Sequence, residues 1–286
     1  DSCAFARTKT DAIICKQLYN KDAAARVRTV FNHQPGPCRE VEGPVHGAED
    51  TEIIQSEGIA FITSGVKCST GACPPGKIFL HDLKQTGEKL QATELTIIGD
   101  NFDPAKFFPH GLSHWRMPDG VIRLYVIAHT PQATHSVEVF DFDPEGPALL
   151  HKKSINGKGI IRPNGIVAVG PDQFLHTNDG RGQTNVPDLL EIAFKWRDGS
   201  VWYYDGRVFH KLVDKKAFAN GIAYDIVKRK LFITVYAEET LEVYDLTEDL
   251  LTATVVSTTR LYSSCDNLFL DRDGSLFTGC HPIMHM

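Results

Sequence analysis

The amino-acid sequence predicts an all-β fold of β-propeller type, and three observations lead to that prediction. First, the chain of 286 residues is built from short apolar runs separated by Gly, Pro, Asp and Asn, a pattern typical of strands joined by turns. Second, convincing helix is confined to residues 21–31, where Asp22 is a suitable cap. Third, a polar junction recurs about every 50 residues, the length of one four-stranded blade.

The recurring junction places a polar residue, followed in most cases by Gly, before one apolar strand after another. It reads Glu57-Gly58-Ile59, His110-Gly111-Leu112, Asn164-Gly165-Ile166, Asn220-Gly221-Ile222 and Asp266-Asn267-Leu268. The first strand of each propeller blade lines the central channel, so we expect these polar residues to converge on the axis. A single polar–Gly pair indicates only a turn, but repetition at blade spacing favours convergence.

The predicted strands lie between these junctions. They cover residues 58–65, 77–83, 122–130, 135–144, 165–179, 230–237, 240–246 and 273–279. The predicted helix precedes the repeat, and we therefore expect an N-terminal helical or extended segment at residues 1–37 and a single propeller domain at residues 38–286.

Composition excludes several classes of protein. The net charge of −6 and pI near 6.1 argue against a nucleic-acid partner. No apolar run approaches the roughly 18 residues that suggest a membrane span. Residues 1–20 contain no apolar signal core, so we expect either a cytosolic protein or a secreted one whose leader lies outside this sequence.

Apart from His110, the residues expected to converge at the channel mouth offer oxygen atoms as ligands. Carboxylates and neutral amides suit Ca²⁺, which takes six to eight oxygen ligands, and the amides favour it over Mg²⁺; they suit Zn²⁺ poorly. The sequence therefore predicts a calcium site formed by Asn164, Asn220, Asp266, Asn267 and an upstream acid, Glu49 or Asp50.

Other catalytic motifs are absent from the sequence. It contains neither G-x-S-x-G nor H-E-x-x-H. His110 and His114 have the spacing of two zinc ligands on a helix, but Gly111 argues against a helix there. His110 occupies a channel-entry position, and His129, at the end of the adjoining predicted strand, is expected close to it.

The seven cysteines include no C-x-x-C pair, which argues against a zinc ribbon. Cys68 and Cys73 flank a short loop. They form either a small disulfide in an oxidising compartment or two unrelated thiols.

An ordered set of motifs in the sequence resembles those of the paraoxonase/arylesterase family, whose members are lactonases with a six-bladed propeller fold. The resemblance runs from about residue 24 to 281 and rests on GAEDTEI (47–53), GIAFITSG (58–65), PGKIFLHDL (75–83), FFPHGLS (107–113), IVAVGP (166–171), HTND (176–179), FANGI (218–222), CDN (265–267) and GCHP (279–282). It implies six blades, of which the last is largely missing here.

The resemblance also implies two calcium sites. The catalytic ligands fall on Glu49, Asn164, Asn220, Asp266 and Asn267. The structural site falls on Asp50, the backbone carbonyl of Leu112 and the residue after Asn164. The family has Asp at that last position and this chain has Gly165, so we expect a weakened second site.

The implied activity is calcium-dependent hydrolysis of small lactones and aryl esters, with water activated by the pair His110 and His129. The alternative is a non-catalytic chaperone or protein-binding propeller with a structural calcium.

The family also implies an extracellular or membrane-associated location. It further implies that Cys38 lacks its partner, that Cys280 is a free thiol, and that the incomplete ring lowers stability.

Overall fold

The computed structural model describes residues 39–45, 47–65, 74–130, 134–181 and 194–281. Within them the chain forms twenty strands and two short 3-10 helices, Pro104–Lys106 and Tyr236–Glu238, so the all-β prediction is confirmed. The predicted helix at 21–31, Cys38 and the Cys68–Cys73 loop lie outside the described residues. No helix among those described is long and apolar enough to cross a membrane.

The strands form four complete sheets and a hairpin. The first sheet contains β1 (Val41–Glu42), β2 (Ala48–Ile54), β3 (Ile59–Ser64), β4 (Lys77–Asp82) and β5 (Leu90–Glu94). The second contains β6 (Thr96–Ile98), β7 (Phe108–Arg116), β8 (Ile122–His129), β9 (His135–Asp143) and β10 (Ala148–Ile155). The third contains β11 (Pro163–Gly170), β12 (Gln173–Asn178), β13 (Gly199–Tyr204) and β14 (Phe209–Lys216). The fourth contains β15 (Ala219–Asp225), β16 (Lys230–Val235), β17 (Thr240–Leu246) and β18 (Ala253–Arg260), and the hairpin contains β19 (Ser264–Leu270) and β20 (Leu276–His281).

Each complete sheet contains a four-stranded antiparallel meander, and in the first two sheets an outer strand, β1 or β6, adds in parallel to the last strand of the meander. Successive sheets pack face to face. The core lies between them: the ring of Phe61 meets that of Phe142 at 5.1 Å, and Tyr125 meets Phe174 at 5.9 Å. Leu231 is fully buried in the cluster between the third and fourth sheets. This is a propeller-like arrangement, with four complete blades among the described residues; the total of six stays a prediction.

The first strands of the sheets, β2, β7, β11, β15 and β19, pack against one another in that order around a channel. Side chains join the last of them to the first. Asn267 in β19 donates to the Glu49 carbonyl in β2 at 3.0 Å. Gln55, just beyond β2, donates to Asp271 at 2.5 Å. The inner strands therefore form a ring.

Every inner strand has a register shift at the same level. The shifts lie at Glu49-Asp50, His110-Gly111, Asn164-Gly165, Asn220-Gly221 and Asp266-Asn267. A β-bulge re-aims the side chain of the residue it contains. The repeated polar residues of the sequence are thus bulge residues, and the bulge is what turns them toward the channel mouth.

The prediction that Glu57-Gly58-Ile59 belongs to the repeat of channel-facing junctions is wrong. Gly58 lies in the turn after β2, where its N–H donates to the Ile54 carbonyl at 3.0 Å, and the bulge of the first sheet is Glu49-Asp50 instead. A polar–Gly pair serves hairpin turns and bulges alike, and only strand register distinguishes the two.

Candidate active site

Three buried oxygens at the channel mouth define the candidate site. Asn164 Oδ1, Asn220 Oδ1 and Asp266 Oδ1 are inaccessible to solvent and have no hydrogen-bond partner among the described residues. A buried oxygen without a partner costs about 1–3 kcal/mol. Three of them, contributed by the successive inner strands β11, β15 and β19, are oxygen donors that a bound cation could satisfy.

Glu49 adds a second carboxylate to this set. Its Oε2 lies 3.2 Å from His110 Nδ1, and its Oε1 accepts a hydrogen bond from Asn267 Nδ2 at 3.2 Å. Asn267 therefore orients the carboxylate as well as offering its own carbonyl oxygen. The structure thus brings together all five residues expected to bind the catalytic calcium.

The chemistry of this donor set fits calcium. It combines two carboxylates with three neutral amides, all of them oxygen donors of the kind Ca²⁺ prefers. No group of three or more His, Cys, Asp or Glu side chains in the described ranges is arranged to hold a metal. A calcium site in which three of the five side chains are Asn amides does not require such a group.

The two predicted catalytic histidines lie beside this set. The rings of His110 and His129 are 4.9 Å apart and nearly perpendicular. His110 Nδ1 lies 3.2 Å from the Asn164 carbonyl and 3.2 Å from Glu49 Oε2. Both neighbours only accept hydrogen bonds, so the hydrogen is on Nδ1 and the lone pair is on Nε2.

Burial keeps both rings neutral. It lowers the pKa of His110, against the opposing effects of Asp266 and Asp179. Burial also holds the pKa of His129 well below its usual value, and the neighbouring His110 and His135 add to that effect. A neutral His110 with a free Nε2 is able to accept a proton.

Comparison with known proteins identifies the family of this chain. The family model described as Arylesterase matches residues 30–286. The chain belongs to the arylesterase family. Rat serum paraoxonase/lactonase 3 is 30% identical over 283 residues, covering 95% of this chain and 77% of the relative. Human serum paraoxonase/arylesterase 1 is 34% identical over 250 residues, covering 86% and 69%.

A solved structure supports the fold alone. The periplasmic gluconolactonase of Pseudomonas aeruginosa superposes with a TM-score of 0.52 at 11% identity, covering 80% of this chain and 64% of that one.

The residues predicted for the second calcium site have few free oxygen atoms. Asp50 Oδ2 accepts the Leu112 N–H at 3.0 Å and Oδ1 accepts the Thr51 N–H at 2.8 Å. Burial, together with the charge of Glu49, raises the pKa of Asp50 to about 7. Gly165 supplies no ligand, and a Cβ there would lie 2.8 Å from the Asn220 carbonyl oxygen.

His114 is a strand residue rather than a helical zinc ligand. It lies in β7, four residues after His110, and its Nδ1 is 2.6 Å from Glu52 Oε1. The argument from Gly111 against a helix at this position is confirmed.

Sequence reasoning missed the residues that orient Asn164. Asp179 Oδ2 accepts a hydrogen bond from Asn164 Nδ2 at 3.3 Å, and Asp179 Oδ1 accepts one from Arg162 Nε. Arg162 also lies over the Phe218 ring, 5.5 Å from its centroid. Asp179 stands in the HTND motif, which was the available signal.

Three threonines were missed as well. Thr63, Thr177 and Thr234 lie on the second strands of their sheets and accept the backbone N–H of Asp50, Gly165 and Gly221 at 2.8–3.0 Å. Thr177 and Thr234 also donate to the carbonyls of Asn220 and Asp266, at 2.5 and 3.0 Å. Their recurrence at blade spacing was the signal that could have revealed them.

The prediction of a free thiol at Cys280 is wrong. Cys280 forms a disulfide with Cys265, because β19 and β20 place the two residues directly opposite each other. The bond flanks the site. Asp266 follows Cys265, and its Oδ2 lies 3.3 Å from Nε2 of His281, the residue after Cys280.

Proposed function

We propose that this arylesterase-family protein is a calcium-dependent hydrolase of lactones and aryl esters. The observation that carries the proposal is the set of three buried oxygens without hydrogen-bond partners beside a neutral histidine that can accept a proton. Membership of the family, whose relatives are named lactonases and arylesterases, supports the reaction class.

Glu49, Asn164, Asn220, Asp266 and Asn267 would hold the calcium ion. When bound, calcium supplies a positive charge that polarises a carbonyl and stabilises the oxyanion that develops on it. Five side chains leave room for further oxygens within the usual count of six to eight. Asp179 orients the Asn164 side chain by accepting a hydrogen bond from Asn164 Nδ2, which leaves Asn164 Oδ1 free to bind calcium.

His110 acts as the general base in this proposal. Its Nδ1–H is held by the Asn164 carbonyl, and Nε2 takes a proton from the attacking water. His129 packs against the ring edge-to-face, which limits its rotation and keeps Nε2 in one direction.

We propose that the second set, Asp50 and the Leu112 carbonyl, binds calcium far more weakly than the first. Both Asp50 oxygens already accept backbone N–H groups, so each offers a cation only its remaining lone pair, and Gly165 supplies no carboxylate.

We also place the protein in an oxidising compartment of the secretory pathway or outside the cell. The Cys265–Cys280 disulfide supports this, since such bonds persist where thiols are not kept reduced.

The test is hydrolysis of phenyl acetate and of a γ- or δ-lactone with calcium and with a chelator. We expect activity that the chelator abolishes and added calcium restores. His110→Gln should lower lactone hydrolysis about 100-fold, at the low end for loss of a general base, while calcium still binds. A folded, calcium-loaded protein that hydrolyses neither substrate would contradict the proposal and favour a binding role.

A further inference from the structure

A third histidine adjoins the catalytic pair. His135 begins β9 and lies directly opposite His129, the last residue of β8. Opposed residues of an antiparallel pair share one face of the sheet. Next to this pair, the Thr130 N–H donates to the Thr134 carbonyl at 3.1 Å. Strand register therefore brings the two rings together.

The contact between the two rings is a hydrogen bond. His129 Nδ1 and His135 Nδ1 are 2.7 Å apart, and the rings are nearly perpendicular with centroids at 4.7 Å. Two imidazole nitrogens reach that distance only when one carries a hydrogen and the other a lone pair. The two neutral rings must therefore hold opposite tautomers, one with its hydrogen on Nδ1 and the other on Nε2.

We propose that His135 is a positioning residue that holds the His129 ring in one orientation against His110 and keeps its tautomer opposite to that of His135. The catalytic part of this inference rests on the proposed function. Without the bond, the His129 ring is free to flip and to exchange its hydrogen between the two nitrogens. His110 packs on that ring, so His135 acts on the base through His129 and does not contact the reacting atoms.

Nothing else on the sheet replaces this bond. The described hydrogen bonds of the His129 and His135 rings consist of the one they share. Burial lowers the pKa of both rings, and the charge of Arg162 adds to that effect, but the Arg162 guanidinium donates its hydrogen bond to Asp179.

Nitrogen-resolved NMR of the imidazole rings at pH 7 tests the tautomer directly. In the unchanged protein we expect one ring of the pair with hydrogen on Nδ1, the other with hydrogen on Nε2, and one slowly exchanging Nδ1–H signal. His135→Ala should remove that signal and leave His129 as a mixture of tautomers. Two rings that both carry hydrogen on Nε2 in the unchanged protein would overturn the proposal.

Kinetics tests the consequence. His135→Ala should lower kcat for a lactone about tenfold, the low end for losing an outer partner of a catalytic group, with KM and calcium affinity little changed. His135→Asn, whose amide stands near the position of Nδ1, should recover part of the loss, and His135→Gln should not. His210→Ala is the matched control, because His210 bonds Asp205 in the third sheet.

The outcomes separate this inference from the proposed function. Full kcat in His135→Ala would overturn the positioning role even if the unchanged enzyme is active. If the unchanged protein hydrolyses no substrate, the proposed function fails, and the NMR spectra still decide whether His135 holds His129.

Discussion

His176 shows at the scale of one residue what burial does to a titratable group outside the channel mouth. Its side chain is fully buried against the rings of Phe174 and Phe209. One ring nitrogen, Nε2, lies 2.9 Å from the Gly159 carbonyl and therefore carries the hydrogen. Burial lowers the pKa of His176 to about 4, so the folded protein keeps this ring neutral.

Acid is expected to destabilise the fold through this residue. Its pKa in the folded state lies below the ordinary value of 6.5, so the unfolded chain binds the proton more readily. The stabilising contribution is complete above pH 6.5 and is lost as pH falls toward 4, by about 2–3 kcal/mol. Urea unfolding at pH 7, 6 and 5 measures the slope. His176→Gln should reduce the number of protons taken up on unfolding, which this slope measures, by up to one. Equal slopes in the unchanged protein and the variant would contradict the prediction.

At the scale of the element, the bulge in each inner strand is the feature that makes the site. The polar–Gly pairs at His110, Asn164 and Asn220 were visible in the sequence and correctly marked the bulges. The pair at Glu57 was visible too and was misleading, because a turn uses the same residues. A repeat locates the candidates, but strand register decides which of them face the channel.

Gly221 is required by the closeness of neighbouring bulges. A Cβ at this position would overlap the backbone oxygen of Asp266 in the next inner strand. We expect Gly221→Ala to lower the free energy of unfolding by about 2–3 kcal/mol and to weaken calcium binding, because it displaces a ligand strand. Denaturant unfolding and calcium titration measure both effects.

Gly279→Ala is the matched control. No atom of the described residues lies within 4 Å of a Cβ there, so the change should be close to neutral in both measurements. Equal free energies of unfolding and equal calcium affinities in the two variants would show that the close packing at Gly221 contributes nothing to stability or to calcium binding.

The residues that the sequence did not reveal all act across elements. Asp179, the residue after β12, reaches Asn164 in β11, and His135 in β9 reaches His129 in β8. Such contacts follow from register and bulge geometry rather than from spacing. Four of the five ligand candidates could be predicted from the sequence because they belong to the repeated junctions, and Glu49 was distinguished from Asp50 only by the family resemblance. A single Asp or His in a strand has many uses and gives no such signal.

At the scale of the whole molecule, the hairpin β19–β20 joins the ends of the ring. It carries Asp266 and Asn267, it contacts β2 through Glu49, and it is cross-linked by Cys265–Cys280. The all-β class and the blade repeat were predictable from the sequence because alternation and turn residues recur along the chain. The disulfide was not, since it depends on which two of the seven cysteines face each other across a strand pair.

The disulfide should stabilise this end of the ring. A loop of about 15 residues corresponds to about 3 kcal/mol in the chain-entropy account. We therefore expect Cys280→Ala to lower the thermal midpoint and to weaken calcium binding, since Asp266 adjoins Cys265. Peptide mapping without reductant should recover the Cys265–Cys280 link. A reduced pair in air-oxidised protein, or an unchanged midpoint in Cys280→Ala, would contradict this.

Calcium titration of the chelator-treated protein by calorimetry tests the central claim most directly: oxygens from separate inner strands bind one cation together. We expect one calcium ion to bind tightly to the unchanged chain, and Asn220→Ala to weaken that binding at least tenfold, about 1.4 kcal/mol, because it removes one of the three buried oxygens. Absence of calcium binding by the folded chain, or equal affinity in Asn220→Ala, would contradict the account.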